Sequence, residues 1–441
     1  MIPHPLTGHS WARRAAWRIL LASACAASVM PLAGQASILD PFASAGDRPS
    51  GLEINRFSLY GELLDLPWGA LVSGVPAMTY TPGAEMDVGL YATRPRVRFA
   101  LTYDVDYDRS VKGLSLKGFD NVVAFSLTSN VTPRLALSLS GSADDALYTD
   151  LLFAPFASLS LANNPTTPLT PGTGLVGQGN TPLSLALYGV RRRDATGVAS
   201  LTFHQSSRLT WSASGEVTRE LPSPVGDESL ATSEPFPGVT FAQGQGGVSF
   251  AYTPRTTLSA GGYYAHYSML TGPFDLELGT LGVYQLVGSV GFVSLSGGGG
   301  ASNYQPRGAS STQTGAYRGE FSTGARGLNQ SLVLSVSREA GNTYGLAIAN
   351  TFSAGVAWSW YSKGSRWTSS AGFNYERLLG GGYANTGGYG GVLNVSRRLS
   401  RRNSIVLTAT WLTTTTPTIL AGNLQQRAVR LAWVWVPGRL Q

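Results

Sequence analysis

Apolar and polar residues alternate with a period of two along most of the chain. In Ser404–Trp411 the residues Ile405, Leu407, Ala409 and Trp411 share one face, and Ser404, Thr408 and Thr410 share the other with Val406. Residues 429–435 repeat this: Val429, Leu431, Trp433 and Trp435 alternate with Arg430, Ala432 and Val434. Strand side chains point alternately to opposite faces. Arg96–Asp108 is the most polarised stretch. Val97, Phe99, Leu101, Tyr103, Val105 and Tyr107 lie on one face, and Arg96, Arg98, Ala100, Thr102, Asp104, Asp106 and Asp108 on the other. As a helix its charges would scatter all round, so the period predicts a strand between an apolar and an aqueous medium.

Such strands recur in pairs around short turns. Val131-Thr132-Pro133-Arg134, Ser206-Ser207-Arg208, Thr253-Pro254-Arg255, Ser362–Arg366 and Leu399–Asn403 each join two alternating segments and each carry Arg or Lys. Ile54–Leu64 and Glu85–Thr93 are weaker strand candidates. Longer connections are expected at Ser142–Pro182, Glu220–Gly238, roughly Ser268–Gly279 and Gly297–Gln313. Ser184–Gln205 and Glu277–Ser296 each read either as one long strand or as two. The pattern is an all-β, transmembrane, antiparallel up-and-down β-barrel of about 16 strands (range about 14–18), with short turns on one rim and long loops on the other.

Composition agrees with this class. Only 13% of the 441 residues are charged and 54 are Gly, whereas soluble domains carry about a quarter charged residues. Half-wet, half-lipid strands bring mean hydropathy near zero, as found here. No apolar run after residue 36 approaches the ~18 residues of a membrane helix, which excludes a helical bundle but not a barrel. Residues 1–36 read as a signal peptide, with Arg13, Arg14 and Arg18 ahead of apolar Ile19–Leu32 and Gly34-Gln35-Ala36 as a cleavage site. Residues 37–53 are then a short periplasmic segment, and residues 54–441 the barrel.

The net charge of +7 falls to about +4 without the leader and is scattered, so nucleic acid is not an expected partner. The single cysteine, Cys25, lies in the leader, and only His204 and His266 remain beyond it. Neither a disulfide framework, a metal site nor a cofactor is therefore expected. The candidate functional residues are the inner-face charges Arg96, Arg98, Asp104, Asp106, Asp108, Glu216, Arg318, Glu320 and Arg430. They would set selectivity in a channel, or simply solvate the lumen and pair across strands. Trp358, Trp360, Trp367, Trp411, Trp433 and Trp435 are expected at the membrane interfaces. No catalytic motif appears, and His266, on one strand face with Tyr264, is the only tempting residue for a surface hydrolase.

On the hairpin motifs Val131–Leu135, Tyr252–Thr256 and Ser400–Asn403, the chain resembles porin-like outer-membrane β-barrels over most of residues 54–436. The resemblance implies a diderm bacterium's outer membrane, lipid and lipopolysaccharide neighbours, and the outer-membrane assembly machinery as a partner. One departure is the last aromatic, Trp435, which stands six residues before the C-terminal Gln441. The expected function is a channel for small polar solutes or glycans. Two alternatives are an export component for exopolysaccharide and a structural or adhesive barrel with a closed lumen. Enzymatic activity is not expected.

Overall fold

The computed structural model describes residues 50–65, 78–109, 117–147, 190–224, 239–269, 272–327, 329–343, 347–362, 366–379, 387–415 and 423–437. Residues 1–36, read from the sequence as a signal peptide, and residues 37–49 lie outside this set. Eighteen strands follow one another without a helix between them among the described residues. They are β1 (Gly51–Asp65), β2 (Met78–Thr93), β3 (Val97–Arg109), β4 (Lys117–Thr132), β5 (Leu135–Leu147) and β6 (Val190–His204). Then come β7 (Leu209–Pro224), β8 (Val239–Thr253), β9 (Thr256–Met269), β10 (Gly272–Val287), β11 (Gly291–Tyr304) and β12 (Thr312–Arg326). The last six are β13 (Gln330–Thr343), β14 (Ala347–Tyr361), β15 (Trp367–Leu379), β16 (Gly387–Arg398), β17 (Asn403–Thr415) and β18 (Asn423–Trp435).

Every strand pairs antiparallel with its neighbours in sequence, and β18 pairs with β1 from Phe57↔Trp435 to Asp65↔Arg427. The sheet therefore closes on itself and has no free edge. Ile54–Leu64 and Glu85–Thr93, weak by pattern alone, are full members of this wall as β1 and β2. The count of 18 is at the top of the expected range.

The hairpin turns owe their shape to one side chain. Thr132 Oγ1 accepts the backbone N–H groups of Arg134 and Leu135 at 3.2 and 3.0 Å. Ser206 Oγ does the same for Arg208 and Leu209 at 3.2 and 3.0 Å, and Ser400 Oγ for Arg402 and Asn403 at 3.2 and 3.1 Å. Thr253 Oγ1 holds Arg255 N–H at 3.1 Å. Each hydroxyl replaces a backbone acceptor in a two- to four-residue turn, the role short polar side chains play there. The recurring Ser/Thr-x-Arg of the sequence is thus a turn cap with a cation placed at the rim. Both ends of the barrel, Gly51 and Trp435, lie on this same rim.

Two connections differ from the expected pattern, and two ambiguous stretches are resolved. Only two residues separate Met269, the end of β9, from Gly272, the start of β10, and these two pair, so Ser268–Gly279 is not a long loop. The glycines Gly297–Gly300 lie inside β11, paired with β10 and β12, and the connection is confined to 305–311. Glu277–Ser296 is two strands around Gly288, whose φ of +64° suits a residue without a Cβ. Val190–His204 is one strand, with Arg191–Asp194 inside it. The other two long connections start later than expected, because β5 runs to Leu147 and β7 to Pro224.

The outer surface is an apolar belt. Leu59, Leu101, Phe125, Leu201, Val217, Leu334, Leu407 and Leu431 all point outward and are exposed. An uninterrupted belt of this kind is stable only against hydrocarbon. Trp211, Trp358, Trp360, Trp367, Trp433 and Trp435 girdle it near the short-turn rim. Trp411 does not join them, although it is close in sequence. It pairs with Arg427 and Gly391, far up β17 from Ile405, the partner of Trp433. Its indole lies across Gly391, where a Cβ would collide with the ring.

The inner face is mostly small or polar, with Ser58, Thr102, Ser212, Ser335, Ser337 and Thr410 turned inward. One sector reverses the pattern. On β10, Phe274, Leu276 and Leu278 point inward and are buried with Ala265, Tyr267 and Ala316, while Asp275 and Glu277 point outward.

Candidate functional site

The densest inward constellation sits where the barrel closes, on β18, β1, β2 and β3. Its geometry begins with an irregularity. The β1–β2 register shifts between Ile54 and Arg56, so Asn55 and Arg56 both face Asp87. A bulge places two consecutive side chains on one face, and both are buried inside the barrel. Asn55 Nδ2 donates to Asp87 Oδ1 at 2.9 Å, and Tyr91 Oη donates to Asn55 Oδ1 at 2.8 Å. The Arg56 guanidinium is released towards Glu85, with which it forms an ion pair, and stands 3.3 Å from Asp104 Oδ2. Ser58 Oγ donates to Glu85 Oε2 at 3.1 Å.

Arg430 completes the cluster from β18. Its Nη2 lies 3.4 Å from Glu85 Oε2 and 3.6 Å from Asp106 Oδ2, and its Cζ lies 3.5 Å from the centroid of the Tyr60 ring. Tyr60 Oη donates to Asp106 Oδ1 at 2.7 Å. That reach carries the phenol from β1 over β2 to β3. It is open because the residue paired with Tyr60 is Gly83, where any Cβ would strike the ring. Two guanidiniums and an aromatic ring therefore organise Glu85, Asp104 and Asp106, and the stacked cation is held electrostatically by the ring face.

The acidity continues along the wall. Asp87, Asp104, Val122, Asp144 and Asp194 occupy one cross-strand row over five successive strands, and Asp106 pairs with Asp120 in the next. Like charges directly opposite destabilise a sheet, so packing alone does not account for such a row.

A second inward network joins β7 to β12. Glu216 accepts hydrogen bonds from Gln243 Nε2 and from Thr218 Oγ1, the latter at 3.2 Å. Tyr263 Oη donates to Gln243 Oε1 at 3.0 Å, and the Arg318 guanidinium lies 6.0 Å from the Tyr263 ring centroid. Arg318 Nη2 is 3.9 Å from Glu320 Oε2.

The structure thus divides the sequence-derived charges into three groups. Asp104, Asp106 and Arg430 meet at the seam. Glu216, Arg318 and Glu320 belong to the second network. Arg96 and Arg98 join neither: Arg96 is exposed in the turn between β2 and β3, and Arg98 is exposed one residue into β3. Arg96 is therefore a rim residue and not part of the inner wall. Asp108 lies opposite Gly83 and Gly118 in the backbone ladder, and its side chain is outside the described set.

Sequence reasoning missed Arg56, Glu85, Asn55 and Tyr60. The signal was present: Glu85 and Asp87 alternate with Met86 and Val88, and Ser58, Tyr60 and Glu62 alternate with Leu59 and Leu63. The bulge at Asn55-Arg56 broke the period and hid it.

His266 faces outward, not into the lumen. Its Nδ1 is 2.7 Å from Asp275 Oδ1, which also accepts Tyr264 Oη at 2.7 Å. No serine hydroxyl among the described residues hydrogen-bonds to it. Nor does any group of three His, Cys, Asp or Glu side chains among them suit a metal ion.

No family model matches the chain, and no curated protein matches its sequence. Among solved structures it is similar to OccAB4 of Acinetobacter baumannii, with 10% identity and a TM-score of 0.43 over 88% of this chain and 99% of that one. It is similar also to OccK2 (OpdF) of Pseudomonas aeruginosa in complex with glucuronate, at 12% identity and a TM-score of 0.45, covering 87% and 98% of the two chains. A third likeness, at 10% identity and a TM-score of 0.45, is to a BenF-like porin from Pseudomonas fluorescens Pf-5, covering 88% of this chain and 99% of that one.

Proposed function

We propose that this protein is a passive outer-membrane channel for small polar solutes. The observation that carries the reading is the combination of a closed 18-stranded wall, apolar outside, with a charged inner wall at the seam. Barrels of about 16–18 strands are wide enough to hold an aqueous passage. Charged side chains lining such a passage keep contact with water and act on the ions and solutes that pass. The carboxylate rows on β2 to β6 outweigh Arg56 and Arg430, so the wall favours cations and cationic solutes.

The short turns and both ends of the barrel belong on the periplasmic side, and the opposite rim, where β5 ends and β6 begins, faces outside the cell. Residues 1–36 direct export and are removed.

Reconstitution into planar bilayers tests the proposal. Discrete, stable conductance steps with a reversal potential on the cation side are expected in a salt gradient. A folded barrel that inserts and carries no current would sink the channel reading.

A further inference from the structure

The short-turn rim repeats one backbone contact. At each of its eight turns, one residue offers its C=O to an N–H near the rim end of a neighbouring strand. Asn130 donates to Arg96 O, His204 to Arg134 O, Ala251 to Arg208 O and Leu286 to Arg255 O, each at 2.8 Å. Arg398 donates to Arg366 O at 2.7 Å, and Val436 to Arg402 O at 2.8 Å. At the other two turns the acceptors are Val290, from Arg326 at 2.8 Å, and Asn329, from Tyr361 at 2.9 Å. The shared bond defines equivalent positions round the mouth, and arginine holds six of the eight.

Each of these arginines immediately precedes a strand, being followed by Val97, Leu135, Leu209, Thr256, Trp367 or Asn403. Those strand residues share the outward face, so alternation puts the arginines on the lumen side of the rim. All six are exposed. Neighbouring turns stand two strand spacings, about 10 Å, apart. Glu53 is the only carboxylate near this rim among the described residues. Two further arginines fall on the outward face: Arg397, whose guanidinium lies 5.1 Å from the Trp367 ring centroid, and Arg401. The ring breaks at Val290 and Asn329, and there Val290 is 52% exposed and Leu286 39%.

We propose that this mouth receives an acidic polypeptide segment of a soluble partner, whose carboxylates bridge neighbouring arginines. Guanidinium forks match carboxylates in geometry as well as charge. Arginines on the outward face lie against lipid headgroups, whereas a ring on the lumen side faces a ligand in water. The backbone bonds fix the spacing of the ring before anything binds, which lowers the cost of ordering it. The apolar break at Val290 and Leu286 suits a polypeptide, which carries apolar side chains among its acids, and not a carboxylated glycan. The inference rests on the channel reading only for the side of the membrane on which the mouth lies.

The test uses the full mature barrel in phosphatidylcholine nanodiscs and a fluorescent deca-glutamate, with binding followed by anisotropy. The peptide should bind at low salt and weaken as salt rises. Arg134→Gln with Arg208→Gln should lower affinity about tenfold, as for two lost ion pairs. Arg134→Lys with Arg208→Lys should lose less. Arg397→Gln with Arg401→Gln removes the same charge from the outward face and should change little. The same peptide with two central leucines should bind more tightly, and Val290→Ser should cancel that gain. No binding, equal losses from the two glutamine pairs, no gain from the leucines, or equal affinity for an oligogalacturonate of the same charge would each overturn the inference. Heat-modifiable gel migration confirms that every variant is folded. Conductance is measured separately, so a silent lumen counts against the channel and not against the ring.

Discussion

Arg430 Nη2 lies 3.4 Å from Glu85 Oε2, although 345 residues separate them in the chain. The contact joins β18 to β2 across β1, so it exists only when the barrel is closed. Both side chains are largely buried, at 24% and 16% exposure, and removing Arg430 leaves Glu85 with Arg56 and Ser58 and Asp106 with Tyr60 as their remaining partners in the cluster. Arg430→Ala is expected to destabilise the barrel by about 1.5–3 kcal/mol, the range for a hydrogen bond to a charged group. Urea midpoints from gel mobility measure it. The companion Glu85→Gln, which also loosens Arg56 and Ser58, should cost at least as much. A midpoint unchanged in both would show that the seam does not rely on this cluster.

Tyr60 reaches Asp106 only because Gly83 lets its ring pass. Tyr60→Phe removes one hydrogen bond and keeps the stacked ring under Arg430, at an expected cost of about 1.5–3 kcal/mol. Gly83→Val displaces the ring altogether and should cost more than Tyr60→Phe. The double variant should be no worse than Gly83→Val alone, since both changes break the same contact. Additive losses would mean that Gly83 acts elsewhere.

Cation preference should depend on the seam acids. Asp104→Asn with Asp106→Asn is expected to move the reversal potential in a salt gradient towards zero, and more so at low ionic strength, where screening is weaker. Arg96→Ala and Arg98→Ala, at the rim, should move it little. A preference untouched by the Asp pair would place selectivity outside this wall.

The apolar belt predicts a sharp sidedness. Leu431, outward and 55% exposed, faces hydrocarbon, so Leu431→Arg should cost about 2–4 kcal/mol in a bilayer. Ser126→Arg, one face over on β4, points into water beside the acidic rows and should cost less. Equal costs would contradict the assignment of faces.

Much of this was legible in the chain. Period-two alternation identified Arg96–Asp108, Ser404–Trp411 and residues 429–435 as strands and separated their wet and apolar faces, because a strand between two media has no other way to satisfy both. The Ser/Thr-x-Arg turns were visible as motifs, though their hydroxyl caps were not. Where the pattern misled, a local cause is identifiable. Gly297–Gly300 looked like a loop because glycine disfavours strands when taken alone, yet in β11 it is held by ladder bonds on both sides. Ser268–Gly279 looked like a loop because inward Phe274 and Leu276 reverse the usual faces of β10.

The sequence by itself determined that the chain forms antiparallel strands with one apolar face, joined by short basic turns, and that no apolar run after residue 36 is long enough for a membrane helix. These properties are local: side-chain direction and turn chemistry are decided within a few residues. Only the tertiary structure decided how many strands close the wall, which register joins β1 to β18, and therefore that Arg430, Arg56, Tyr60, Glu85, Asp104 and Asp106 meet. That encounter depends on closure between the two ends of the chain and on a single bulge at Asn55-Arg56. The inner-wall charges were visible one strand at a time, but the site they form exists only across the seam.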